Sequence, residues 1–173
     1  MSQCCTGPES AETCTLPGER LVTTVEQCRK CAGESRPVER QTILHHVKHD
    51  QLDRVNGQQY RFCLDPGCEV VYFGDRGTLF TTADVRELVS AKAKGDRRPI
   101  CYCFGFTEGD ARTQIEHTGL SMIPAQISKL IKAGMCACEV RNPAGVCCLG
   151  EVNQSVKRLL AAQAEFGGSA RSS

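Results

Sequence analysis

The grouping of cysteines constrains this 173-residue chain more than any other feature. Cys101 and Cys103 flank a single residue, and Cys136, Cys138, Cys147 and Cys148 return about one helical hairpin later. Upstream stand a Cys28-x-x-Cys31 pair and a Cys63-x-x-x-x-Cys68 pair, and Cys4, Cys5 and Cys14 lie near the start. The total of thirteen is odd, which argues against a fully paired disulfide framework. The opening residues carry neither a basic n-region nor an apolar h-region, so no secretory signal is expected. No run approaches the roughly 18 apolar residues that span a membrane. The expectation is a cytoplasmic chain without membrane insertion, where grouped thiols mean metal or redox chemistry more often than disulfides.

Composition matters here in two ways. With no tryptophan and 5% aromatic residues, the apolar material for one large core is thin, and bound metal would supply the missing stability. A net charge of +1, with no basic stripe interleaved with aromatics, gives no reason to expect a nucleic-acid partner.

Read in order, residues 1–27 predict a flexible, cysteine-containing arm. Its adjacent thiols Cys4 and Cys5, with Cys14, either serve no metal or form a soft-metal site suited to Cu(I) or Hg(II). Residues 28–95 predict a zinc-binding, β-rich unit. Cys28, Cys31, Cys63 and Cys68 supply four sulfurs from two short knuckles, the donor set of a closed tetrahedral zinc site. Gly33, Pro66 and Gly67 supply turn residues beside them. Between the knuckles a short helix over 42–48, capped by Thr42, is expected. Strands are expected over 59–62, 69–73 and 78–80, and weak helical periodicity over 84–93. The layout is that of a zinc ribbon or treble clef. His45, His46 and His49 read as surface or packing residues, because four cysteines already fill the site. The basic stretch 92–98 reads as a solvated linker between two halves.

Residues 96–163 predict a helical unit, an αα-hairpin plus a C-terminal helix. Thr107 with Asp110 makes a capping box. The first helix should stop at Gly119, and the second should begin near Ile123-Pro124 and end at Gly134. A third should run from Cys147-Cys148 to about Gln163, with Val152, Val156, Leu159 and Leu160 inward. The loops would present thiolates at helix N-termini, where partial positive charge favours a thiolate cluster. Residues 164–173 predict a disordered tail. The fold class expected is α+β, and His117 reads as a surface residue.

On these motifs the chain resembles a known family. Cys101-x-Cys103, a helical hairpin and a cysteine-bearing return loop are similar to the bacterioferritin-associated ferredoxin-like [2Fe–2S] domain. The stretch 136–150, and the upstream pairing of Cys28-x-x-Cys31 with 63–73, resemble the N-terminal domain of CopZ-type copper chaperones. That domain holds one zinc and one [2Fe–2S] cluster, and the likeness covers about residues 28–160. It implies zinc on Cys28, Cys31, Cys63 and Cys68, and the cluster on Cys101 and Cys103 plus two of the four later cysteines. The family's last two ligands lie roughly ten residues apart. Cys138 with Cys148 fits that separation best, and Cys136 with Cys147 is the alternative. Full-length members continue into a ferredoxin-fold domain with a Cys-x-x-Cys copper loop, whereas this chain ends in a polar tail.

The resulting expectation is a small iron–sulfur and zinc protein for one-electron transfer and soft-metal handling. Its partner would be a redox protein or a copper-transport protein. One alternative is a ferredoxin-like partner of another enzyme or iron store without a copper role. Another is a zinc-only interaction module. No phosphate-binding loop or nucleophile constellation is present in the pattern, so no enzyme is expected beyond a reductase-like conversion of Cu(II) to Cu(I).

Overall fold

The computed structural model describes residues 26–169. It is a mixed α+β molecule with a four-stranded antiparallel sheet in the order β1-β2-β3-β4, a two-stranded ribbon β5-β6, and five α-helices. The sheet strands are β1 (Ser35–Val38), β2 (Tyr60–Cys63), β3 (Val70–Gly74) and β4 (Leu79–Thr81). Helix α1 (Arg40–His46) and a 3-10 turn (His49–Arg54) fill the crossing from β1 to β2.

The inner strand β3 follows from its apolar content. β3 is buried on both faces, and a bulge between Val70 and Tyr72 sets which face each residue serves. The bulge breaks the period-2 alternation. Val71 and Tyr72 both join the main core with Ile43, Val47, Phe62 and Phe80, whereas Val70 and Phe73 turn to the opposite side and pack around Cys28, Cys63 and Cys68.

The second half is built on β5 (Pro99–Cys101) and β6 (Phe106–Thr107), α2 (Glu108–Thr118), α3 (Ile123–Lys132), α4 (Cys138–Arg141) and α5 (Leu149–Ser169). The expected capping box is present: Asp110 N–H donates to Thr107 Oγ1, and Asp110 Oδ2 accepts from Thr107 N–H at 2.8 Å. Gly119 ends α2 in the left-handed region at φ 76°, a conformation that favours glycine. Pro124 lies in the first turn of α3. Ile100, Ala111, Ile115, Ile123, Ile127 and Val152 form this half's core.

Several expectations are corrected. Thr42 does not cap α1; Glu39 holds the N-cap position, and Thr42, inside the helix, donates from Oγ1 to Glu139 O at 2.7 Å. No helix forms over 84–93, because the backbone is committed elsewhere: Lys48 N–H donates to Asp84 O, Arg86 N–H to His46 O, and Ser90 N–H to Tyr102 Oη. Residues 92–98 are not a free linker. Lys92 Nζ donates to Asp65 O at 2.7 Å over the Phe62 ring, and Arg98 is buried between Glu108, Glu151 and Ser155. Helix α5 runs past Gln163 as far as Ser169; Ala161, Ala162, Ala164 and Glu165 are strong helix formers, and Gln163 Nε2 donates to Ile115 O.

Candidate metal centres

The first centre grows from two tight turns. In one, Ala32 N–H donates to Cys28 O at 2.7 Å and Cys28 N–H to Gly33 O at 3.0 Å. The left-handed residue is Ala32, at φ 55°, not the neighbouring glycine. Gly33 is needed for closeness: a Cβ there would stand 3.1 Å from Cys31 Sγ and 3.2 Å from Asp65 Cβ. In the other turn, Asp65 Oδ1 accepts from Gly67 N–H at 2.8 Å and Asp65 O accepts from Cys68 N–H at 3.2 Å.

These turns bring the sulfurs of Cys28, Cys31, Cys63 and Cys68 within 4.8 Å of one another. Cys28 and Cys68 are 4.0 Å apart, and Cys31 and Cys63 are 3.7 Å apart. A tetrahedron of Zn–S bonds has edges of about 3.8 Å, so the donor set and spacing fit zinc. Burial pushes the Cys63 thiol up to about 12, while Lys92 nearby favours the thiolate. Burial also opposes ionisation of Cys28, but backbone N–H groups of Cys31 and Lys30 outweigh it and its thiol falls below its ordinary value. Four sulfurs with such mixed preferences become thiolates together only when a cation is bound.

The second group differs in geometry. Cys101 closes β5, Cys103 stands in the β5–β6 turn, Cys138 is the first residue of α4, and Cys148 caps α5 with its carbonyl accepting from Val152 N–H at 3.0 Å. Cys101 and Cys103 thus sit on a ribbon and not at a helix N-terminus; Cys138 and Cys148 do occupy helix starts. Their sulfurs meet as two pairs: Cys148 lies 3.2 Å from Cys101, and Cys103 lies 3.6 Å from Cys138. Among the described residues, only the first centre brings three or more such ligand atoms within 4.8 Å of one another. Ala137 N–H donates to Cys103 Sγ at 3.4 Å. The Cys148 thiol bonds to Cys101, which holds the Cys101 thiol down at about 6 against burial and pushes Cys148 well up. Burial sends Cys138 up to about 12. Cys136 is half-buried, Cys147 is exposed, and neither belongs to a pair. Cys4, Cys5 and Cys14 lie outside the described residues.

Three side chains near the centres make contacts that carried no sequence signal. Tyr102, between Cys101 and Cys103, accepts from Ser90 N–H at 2.7 Å and donates to Leu88 O at 3.0 Å. It ties the second ligand loop to the segment whose Lys92 holds the zinc knuckle. Arg98 Nε donates to Ser90 O at 2.9 Å and anchors that segment to α2 and α5. Thr42 fastens α1 to α4. All three act across the boundary between the halves, and no local pattern encodes such contacts. The histidines lie away from the sulfurs: His45, His49 and His117 are exposed, and His46 is buried beside α4. Among the described residues no helix is long and apolar enough to cross a membrane.

Comparison with known proteins gives three likenesses. Residues 25–86 match the zf_CopZ family, described as a zinc binding domain. The copper chaperone CopZ of Archaeoglobus fulgidus is 32% identical over 122 residues, which cover 70% of this chain and 57% of that protein. The chain therefore spans a little over half the length of this relative. The X-ray structure of the Archaeoglobus fulgidus CopZ N-terminal domain superposes with a TM-score of 0.60 at 29% identity, covering 74% of this chain and 95% of that one.

Proposed function

We propose that this chain is a CopZ-like metal-handling protein. In this reading it carries zinc on Cys28, Cys31, Cys63 and Cys68 and a [2Fe–2S] cluster on Cys101, Cys103, Cys138 and Cys148. The observation that carries the proposal is the meeting of the last four sulfurs as two pairs, at 3.2 and 3.6 Å. Each iron of such a cluster takes two thiolates, so two pairs suit a dinuclear group better than one zinc tetrad. When bound, the cluster supplies uptake and release of one electron.

The chain's own residues prepare that site. Ile100, Ala111 and Val152 keep water from its inner side. The Ala137 N–H supports negative charge on Cys103, and the start of α5 does so for Cys148. Residues 28–95 then form a zinc-ribbon-like unit, and 96–163 a helical unit of the bacterioferritin-associated ferredoxin-like kind. The zinc unit acts as scaffold, since its cysteines are part of the packed side of the sheet. The likeness to a copper chaperone supports copper as the cargo and a copper-transport or redox protein as the partner. Cys4, Cys5 and Cys14 are the thiols the sequence offers for that cargo. The reading is of a carrier in the reducing cytoplasm, not of an enzyme.

The test is the visible spectrum of anaerobically purified protein, with iron, sulfide and zinc counted per chain. A red-brown protein with about two irons, two sulfides and one zinc is expected. A colourless protein with about two zincs and no sulfide overturns the cluster and leaves a zinc-only module. A coloured protein that neither binds Cu(I) nor exchanges electrons with a copper-loaded partner is a ferredoxin without a copper role.

A further inference from the structure

Two neighbouring clefts have no part in holding either metal, and both border the segment that joins the halves. The first, of about 280 Å³, is lined by Lys92, Lys94, Arg98 and Arg158, with Glu108 as its one carboxylate among the described residues. The second, of about 250 Å³, is lined by Arg36 and Glu151, by the half-buried apolar side chains of Leu64, Ala144 and Val146, and by Cys148. Ser90 and Ala91 belong to both linings, and Arg98 in the first pairs with Glu151 in the second.

The charge on these walls is one-sided. Five cations and two carboxylates line the pair, in a chain whose net charge is only +1. Both carboxylates are already taken: Glu108 pairs with Arg98 at 2.9 Å and with Arg158 at 3.7 Å, and Glu151 pairs with Arg98. The Lys92 ammonium rests on the Asp65 carbonyl and the Phe62 ring, neither of which carries a charge. Lys94 is exposed, and among the described residues neither it nor Arg36 has an ion-pair partner. Lys92, Lys94 and Arg36 thus line concave walls without an anion. Such walls focus the field and strengthen attraction for the opposite charge. The apolar side chains beside them favour a peptide over a small anion, which needs only donors. A nucleic-acid strand asks for aromatic faces to stack on, and Phe62 is spent on packing and Tyr102 on hydrogen bonds.

We infer that the paired clefts are the docking surface for an acidic segment of the partner protein, with its carboxylates against Lys92, Lys94 and Arg36 and its apolar side chains against Leu64, Ala144 and Val146. The inference names the partner's chemistry and rests on the carrier reading above for there being a partner. Docking here sets the partner beside Cys148, at the edge of the second centre. Complementary charge of this kind acts on the rate of encounter and on the choice of partner more than on the final affinity.

The experiment is fluorescence anisotropy of the full chain, purified anaerobically, with a fluorescein-labelled peptide of two leucines followed by four glutamates at low salt. Wild type is compared with Lys94→Glu, Arg36→Glu and a control of equal charge change, Lys132→Glu, which is exposed at the end of α3 and lines neither cleft. Each reversal in the clefts should weaken binding roughly fivefold, and Lys132→Glu about twofold or less. Raising salt from about 20 to about 200 mM should weaken the wild type and narrow these differences. Either cleft variant binding like wild type overturns the inference, as does an equal loss in Lys132→Glu or a wild type that does not bind. Tighter binding of a labelled six-nucleotide thymidine strand overturns it in favour of nucleic acid. A wild-type dimer in sedimentation that Lys94→Glu dissolves overturns it in favour of a second copy of the chain. Iron, sulfide and zinc are counted in each sample, so the two readings fail separately: a colourless chain that binds the peptide with these losses keeps the docking surface and removes the cluster.

Discussion

At the scale of single residues, the groups that matter most outside the thiols are Arg98 and His46. Arg98 is 9% exposed and donates to Glu108 Oε2 and Ser155 Oγ, while also pairing with Glu151. Glu108 is itself almost covered, and without the guanidinium its carboxylate keeps only the longer pairing with the half-exposed Arg158 at 3.7 Å. Arg98→Met is expected to cost about 3–5 kcal/mol, read from the urea midpoint, and a loss below 1 kcal/mol would show the network to be ornamental. His46 is 2% exposed, and its Nε2 has no hydrogen-bond partner. Burial first, then nearby His45 and Arg86, lower its pKa from 6.5 to about 4. The fold holds the neutral ring, whereas the unfolded chain takes up the proton near 6.5. This contribution is complete above pH 6.5 and is lost as pH falls towards 4, on the order of 3 kcal/mol. Wild type should therefore lose about that much more than His46→Leu between pH 7.5 and 4, measured by urea unfolding at each pH. Equal losses would show that His46 carries none of the acid sensitivity.

At the scale of elements, the signals that read truly were local ones. The α2 capping box, Gly119 and Pro124 are short-range devices, and the boundaries they mark lie where the pattern put them. Thr107→Ala removes both an acceptor for Asp110 N–H and a partner of its carboxylate, and should cost about 1 kcal/mol, visible as a lower Tm. An unchanged Tm would mean that packing on α5 alone fixes the start of α2. What was illegible depended on distant partners. β1 contains Pro37, a poor strand former, and exists because β2 pairs with it from Ser35↔Cys63 to Val38↔Tyr60. The 84–93 periodicity was real as sequence but lost to tertiary hydrogen bonds at Lys48, His46 and Tyr102. The thiol sites show the same division. Spacing alone marks Cys28, Cys31, Cys63 and Cys68 as one group, because each knuckle is local. By contrast, the meeting of Cys101 with Cys148 depends on how a whole helical hairpin returns.

For the whole molecule, the two halves behave as one packed object. α1 lies on α4 through Thr42 and Glu139, Tyr102 bonds the 88–90 segment, and Lys92 reaches the zinc knuckle. Since Cys28, Cys63 and Cys68 are themselves part of the packing behind β3, metal binding there is folding energy. Cys68→Ser, or stripping zinc with a strong chelator, should lower Tm by on the order of 10 °C or more. An unchanged Tm would mean that the sheet stands without the ion.

The sequence separations across the sulfur contacts carry a further consequence, one of timing. Cys28 meets Cys68 across 40 residues, and this tetrad is complete once Cys68 is made. Cys101 must wait 47 residues for Cys148, with α2, α3 and α4 all lying in between. A chain emerging from the ribosome can therefore load its first ion while the last third is still being synthesised. The second site cannot close until α5 is under way. The order in which the two proposed sites can be filled is thus written into the order of synthesis, and the early unit gives α4 a surface to fold against, through α1, when it arrives.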